Sequence, residues 1–177
     1  MSWSKRDAAV LGGAFLVYAV LTGLMTWPVS TRLSSHLIGN GDDMWVHFWN
    51  GWWVRRILQQ GGDLYYTPLL FHPSGVSLLF HNFAWVNIAL WLLGEPLVGG
   101  ITAYNLAFLV HIPLCGLSMF LLARHLTDST VAAFLGGLIY AFLPYRMLHA
   151  NHPNVVSTEG VPVLMLFLLR LLEGTRP

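Results

Sequence analysis

Two adjacent carboxylates, Asp42 and Asp43, open a segment dense in aromatic residues: Trp45, Phe48, Trp49, Trp52 and Trp53. A carboxylate so placed can take or polarise a proton on a hydroxyl or amide while a reacting carbon gains positive character. Partial burial would raise its pKa toward neutrality, where such a group works best. A second polar set, Arg146, His149, His152 and Glu159, comes much later in the chain. The guanidinium of Arg146 suits phosphate oxygens, although an arginine at a helix end also snorkels to the membrane surface. His149, His152 and Glu159 could place two imidazoles and a carboxylate near one divalent cation, contact a polar substrate, or serve structure alone. Pro153 and Asn154 signal a turn there, so a helical i, i+3 relation between the histidines is not secured. His72 and His81 are lone histidines in a turn-rich stretch, where a structural role is commoner than a direct one.

The elements that must position these residues are set by the solvent. Hydrophobic residues make up 55% of the chain and charged residues 10%, against about 25% charged in a soluble domain. Mean hydropathy is positive, and the chain reads as an all-α polytopic membrane bundle. Residues 8–27, 103–123 and 130–148 are each long enough to cross about 30 Å of hydrocarbon at about 1.5 Å per residue. A fourth run, 161–173, is shorter. The first follows Lys5 and Arg6 and has no small-residue cleavage pattern after it, so it reads as a retained helix rather than a signal peptide.

Residues 82–98 are apolar but interrupted by Gly94, Glu95 and Pro96, and whether they cross decides the parity of all that follows. If they crossed, Lys5, Arg6 and Arg146 would face inside and the other arginines outside, against the positive-inside rule. If they do not, the inside holds Lys5, Arg6, Arg124, Arg170 and Arg176, while Arg32, Arg55 and Arg56 fall in a long loop that the rule discounts. The expectation is therefore four spans, the N-terminus inside, and outer segments 28–102 and 149–160. Asp42, Asp43, His149, His152 and Glu159 then share the outer side.

Within the long outer loop, Asn40, Gly41, Asp42 and Asp43 read as a turn and a helix start. The five aromatics after it fall on one helical face, with His47, Asn50 and Gly51 on the other. Such a helix is expected in the membrane interface with its indoles at headgroup depth, an anchor capped by Asp42 or Asp43. Pro68 and Pro73-Ser74-Gly75 mark turns in an ordered loop that carries His72. His111, in the second span beside Pro113, is costly in hydrocarbon unless it hydrogen-bonds a neighbouring helix. Cys115 is the one cysteine, so neither a disulfide nor a zinc cluster is available. Net charge is +1 with no basic stripe, which excludes a nucleic-acid surface.

Gly41-Asp42-Asp43 with the tryptophan segment, the loop from Tyr66 to Gly75, Ala103-Tyr104-Asn105-Leu106, the segment from Leu122 to Thr127, and the segment from Gly136 to Arg146 together resemble the N-terminal part of GT-C superfamily membrane glycosyltransferases. The resemblance covers nearly the whole chain. It implies sugar transfer from a polyprenyl phosphate or pyrophosphate donor to an acceptor on the outer face of a bacterial cytoplasmic membrane. It implies Asp42 as the acid of the first outer loop, with Asp43 beside it, and His149, His152 and Glu159 where relatives carry a second acidic group. That departure leaves a divalent metal an open question. The length implies a partial bundle whose later helices, or a larger complex, would complete the donor site. The rival reading is a non-catalytic membrane subunit that packs through its aromatic surfaces and small-residue faces such as Gly136-Gly137. Haem ligation lacks a facing histidine pair, and a transporter lacks an internal repeat.

Overall fold

The computed structural model describes residues 5–39 and 41–174. Asn40, in the expected turn, and Arg176, in the expected charge balance, lie outside the described residues. The architecture is all-α apart from one small hairpin: α1 (Lys5–Met25), α2 (Asp43–Gln60), β1 (Tyr66–Thr67), β2 (Val76–Ser77), α3 (Trp85–Val98), α4 (Gly100–Leu109), α5 (His111–Thr127), α6 (Thr130–Ala141), α7 (Pro144–Leu148), α8 (Pro153–Val156) and α9 (Gly160–Gly174). Four helical stretches are long and apolar enough to cross a membrane: Lys5–Met25, Gly100–Thr127, Thr130–Leu148 and Pro153–Gly174. By length and composition these make the chain an integral membrane protein.

The expected second span, 103–123, is longer than anticipated and jointed. Pro113 has no N–H to return to the Leu109 carbonyl, and the joint between α4 and α5 falls at Val110 just before it. The fourth span also extends further back than 161–173, because α8 precedes α9 almost without a break. Residues 82–98 do not form a candidate span. Helix α3 has 14 residues, about 21 Å at 1.5 Å per residue, and folds back on α4 through the left-handed Gly99 (φ 82°). Gly94 faces Ala103 across this hairpin, and the Trp91 indole donates to Gly100 O (2.9 Å).

The central stretch Gly100–Thr127 is the most buried of the four, and α5 packs against α6, α9 and α1. Small residues let these backbones approach, as is usual where lipid offers no hydrophobic drive for helix association. Ser129 caps α6, its hydroxyl accepting from Ala132 N (3.3 Å). Tyr18 of α1 is fully buried in the notch this packing creates. Its ring stacks on Phe134 (centroids 5.4 Å apart) and its hydroxyl donates to Phe134 O (2.8 Å). A Cβ at Gly116 would stand 2.7 Å from the Tyr18 ring, and one at Gly137 would stand 2.5 Å from Gly116 O and closer still to the Tyr18 hydroxyl.

Gly137→Ala is accordingly expected to destabilise the bundle by about 1–3 kcal/mol through overpacking. Tyr18→Phe, which removes one hydrogen bond and keeps the ring, should cost about 1 kcal/mol. Thermal unfolding in detergent that ranked the two variants the other way would contradict this notch as the packing centre.

Candidate functional site

The path to the two aspartates is fixed from below by one side chain. After α1 the chain makes a short 3-10 turn (Val29–Thr31) and then runs in irregular backbone to Gly39, where neither helix nor sheet satisfies its amides. Asn105 of α4, fully buried, does so. Its Oδ1 accepts from Ile38 N (2.8 Å), and its Nδ2 donates to Leu33 O (2.8 Å) and His36 O (2.7 Å). Ile38 is thereby seated in the same core as Trp91, Tyr104 and Ile112. Gly39 follows in a left-handed conformation (φ 110°), and a Cβ there would lie 3.2 Å from Asn151 Cα. The two expected outer loops therefore meet, backbone against backbone, just ahead of Asp42.

Asp42 occupies the N-cap position of α2. Its carbonyl accepts from Trp45 N (3.0 Å) and Val46 N (3.2 Å), but its carboxylate makes no capping bond. Asp43 is the first helical residue, and its Oδ2 lies 3.4 Å from His152 Nε2. The expected helix cap is thus supplied by neither aspartate side chain. Both aspartates are exposed, so the partly desolvated pocket expected around a catalytic acid is not closed by the described residues.

Helix α2 is turned inside out relative to an interfacial anchor. His47, Asn50 and Gly51, the polar face, are buried together with Trp53 and Val54, while Trp45 and Trp52 remain exposed. The reason is a close crossing with α3: a Cβ on Gly51 would stand 3.0 Å from the Trp91 ring, and Arg55 pairs with Glu95. Asn50 is satisfied by its neighbours, accepting from His81 Nε2 (2.7 Å) and donating to Asn82 O (3.1 Å). Trp53, expected on the outer face, instead donates its indole N–H to Leu64 O (3.0 Å). His47, Asn50, Asn87, Tyr104 and Pro153 line a cavity of about 20 Å³, room for one water. Within it His47 Nδ1 and the Tyr104 hydroxyl have no partner among the described residues.

The second set divides. His149 stacks on Tyr145 (4.1 Å between centroids) and donates Nδ1–H to Tyr145 O (2.9 Å). His152 turns to Asp43, whereas Glu159 turns inward to His111, whose Nδ1 donates to Glu159 Oε1 (2.8 Å). The trio proposed for a cation is therefore not gathered, and among the described residues no three histidine, cysteine or acidic side chains lie close enough to hold a metal ion. Arg146 does not snorkel. It is 4% exposed, stacks 4.7 Å from the Tyr140 ring and donates Nη2 to Thr158 Oγ1 (2.6 Å). Its Nε and Nη1 are buried with no acceptor among the described residues. Cys115 Sγ completes this seam, 3.4 Å from Val156 O and 3.6 Å from Glu159 Oε2. His72 is exposed beside the hairpin, whose strands pair Tyr66 with Ser77, and no described contact joins it to the aspartates.

Sequence reasoning anticipated that His111 must find a partner and missed His47, Tyr140 and Thr158. A histidine and an asparagine on the polar side of an otherwise aromatic helix were the available signal for His47.

Burial holds the His47 imidazole below its ordinary pKa, an effect reinforced by His152 and His81 and opposed by Asp43. Burial lowers His81 as well. The unfolded chain takes up these protons first, so the docking of α2 is at full strength above about pH 6.5 and weakens as pH falls below it. Hydrogen exchange of α2, corrected for intrinsic rates, should accelerate between about pH 7.5 and pH 5.5, and His47→Gln should flatten that dependence. Asn105→Leu should cost at least about 1–3 kcal/mol, the penalty of one buried group left unpaired. Limited proteolysis should then cut first between residues 32 and 42.

No protein-family model, curated protein or solved structure matches the chain.

Proposed function

We propose that this chain supplies part of the outer-face site of a membrane glycosyltransferase of the GT-C class, moving a sugar from a polyprenyl-phosphate donor to an acceptor hydroxyl or amide. The observation that carries the reading is the meeting of the two loops, with Gly39 against Asn151 and Asp43 beside His152. It leaves the Asp42 carboxylate exposed and free of a capping role at the rim of that junction.

In this reading Asp42 is the base. Its carboxylate takes the acceptor's proton as the acceptor oxygen or nitrogen bonds to the anomeric carbon. The bond from that carbon to the donor phosphate oxygen breaks, and its electron pair leaves with the phosphate. Asp43 and His152 hold the two loops in register. Arg146 is assigned the phosphate charge, because two of its buried N–H groups lack an acceptor and buried donors are rarely left so. His149 and His72 are assigned contacts along the exposed rim, and Glu159 orients His111. No step passes through a metal. The site would face the outside of a bacterial cytoplasmic membrane, with the N-terminus inside, as the balance of Lys5, Arg6, Arg124 and Arg170 supports.

The test is transfer from a radiolabelled polyprenyl-phosphate sugar in membranes carrying the full reading frame. Asp42→Asn should reduce transfer by about 10²–10⁴-fold, the usual contribution of a general base, at unchanged expression. Asp43→Asn should reduce it less, through misplacement of the loops. Unchanged transfer in Asp42→Asn would sink the catalytic assignment. It would favour a non-catalytic subunit that packs through exposed aromatics such as Phe71 and Phe80.

A further inference from the structure

At the end of the bundle where α1 begins, away from the aspartates, two grooves run into each other. The mouth, about 460 Å³, is lined by Arg6, Asp7, Leu11 and Arg124. The second, about 450 Å³, continues between α1 and α6 along Gly13, Val17, Val131, Phe134 and Leu135. Val10, Phe120 and Thr130 belong to both walls. The combined surface is polar and charged at one end and wholly apolar beyond it. Its apolar length along α1, from Val10 to Val17, is about 10 Å at 1.5 Å per residue, after which exposed Val20 and Leu24 extend the same kind of surface.

We propose that this groove binds an anionic diacyl phospholipid, its phosphate on Arg6 and Arg124 and one acyl chain laid against α1 and α6. Two features of the mouth select an anion over a neutral lipid. Two arginines against one aspartate leave a formal charge of +1. Arg124 Nη1 is also buried without a hydrogen-bond partner among the described residues, and a guanidinium N–H in a dry site calls for an oxygen acceptor. Nearby, His125 Nε2 lies 3.3 Å from Glu173 Oε2. Arg124 sits in the last turn of α5, where the helix carbonyls add negative potential and favour a cation held there, so the guanidinium is kept at the mouth. The apolar half follows the physics of acyl burial. Its walls are mainly small, branched aliphatic and phenylalanine side chains, and a Cβ on Gly13 would meet only open space.

The full chain reconstituted in nanodiscs provides the test, with native mass spectrometry counting retained lipid and thermal unfolding as a second readout. Phosphatidylglycerol should be retained and should raise Tm, whereas phosphatidylcholine and phosphatidylethanolamine should not. Arg124→Gln should weaken phosphatidylglycerol retention about tenfold, the loss of one charge-assisted hydrogen bond. Gly13→Leu puts its Cβ into open space at the groove wall and its branch into the acyl path, so it should abolish the phosphatidylglycerol effect while leaving Tm in phosphatidylcholine unchanged. That variant keeps the question answerable if Arg124→Gln folds poorly. Equal retention of the neutral lipids, or a phosphatidylglycerol shift untouched by Gly13→Leu, would overturn the proposal. Neither result depends on sugar transfer.

Discussion

Three hydrogen bonds made by Asn105 hold the segment that leads to α2 against α4. The chain leaving α1 has no regular structure between residues 32 and 39, yet backbone groups of Leu33, His36 and Ile38 reach the buried Asn105 of α4. Unpaired, each such group would cost about 1–3 kcal/mol. One buried amide side chain satisfies an N–H and two carbonyls at once. Because Ile38 is pinned, Gly39 can press on Asn151, and α2 starts at a defined place. The positions of Asp42 and Asp43 are thus set by α4, a helix far from them in sequence.

The same requirement, that no polar group go unpaired in hydrocarbon, shapes the interior. His111 would be costly alone in a span, and Glu159 answers it from the start of α9. Thr158 gathers Tyr140 and Arg146, and Cys115 lies against the same backbone. The result is a polar seam that joins α5, α6 and α7 to the turn between α8 and α9. It joins the segment that carries His149 and His152 to the central helix. The loop that meets Asp43 is anchored from within rather than draped over the surface, and this explains why it can meet a partner loop at fixed distance.

Much of the architecture was legible because solvent dictates it. Apolar runs located the four candidate spans, and residues 82–98, which the charge balance left uncrossed, hold the helix α3, shorter than a candidate span. The joint at Val110 was less legible, since Pro113 alone does not say whether a helix kinks or ends. The face of α2 was read backwards for a physical reason. Composition placed five aromatics outward against lipid, but the structure buries His47 and Asn50 because α3 crosses closely at Gly51 and the loop ahead of α3 brings His81 and Asn82 to Asn50, neighbours that a local reading cannot see. Glu159 was likewise assigned outward with the histidines, and it turned inward because His111 had the stronger claim on it. The meeting of Asp43 with His152 depends on two loops more than a hundred residues apart, and only their shared side of the membrane was readable.

The separation of Asp42 from Asp43 bears on what the junction can do. A carboxylate 3.4 Å from the His152 imidazole cannot swing to a substrate without parting the loops. Its neighbour carries no such obligation, since backbone carbonyls and amides alone start the helix. Asp42 lies open to solvent, however. If it acts on an acceptor, the dry surroundings that would strengthen it must arrive with the substrate. A donor that combines a sugar, a phosphate and a long hydrocarbon is the kind of ligand that can bring its own cover. The exposed indoles of Trp45 and Trp52 on the same helix offer the apolar, amphipathic surface on which that cover could settle.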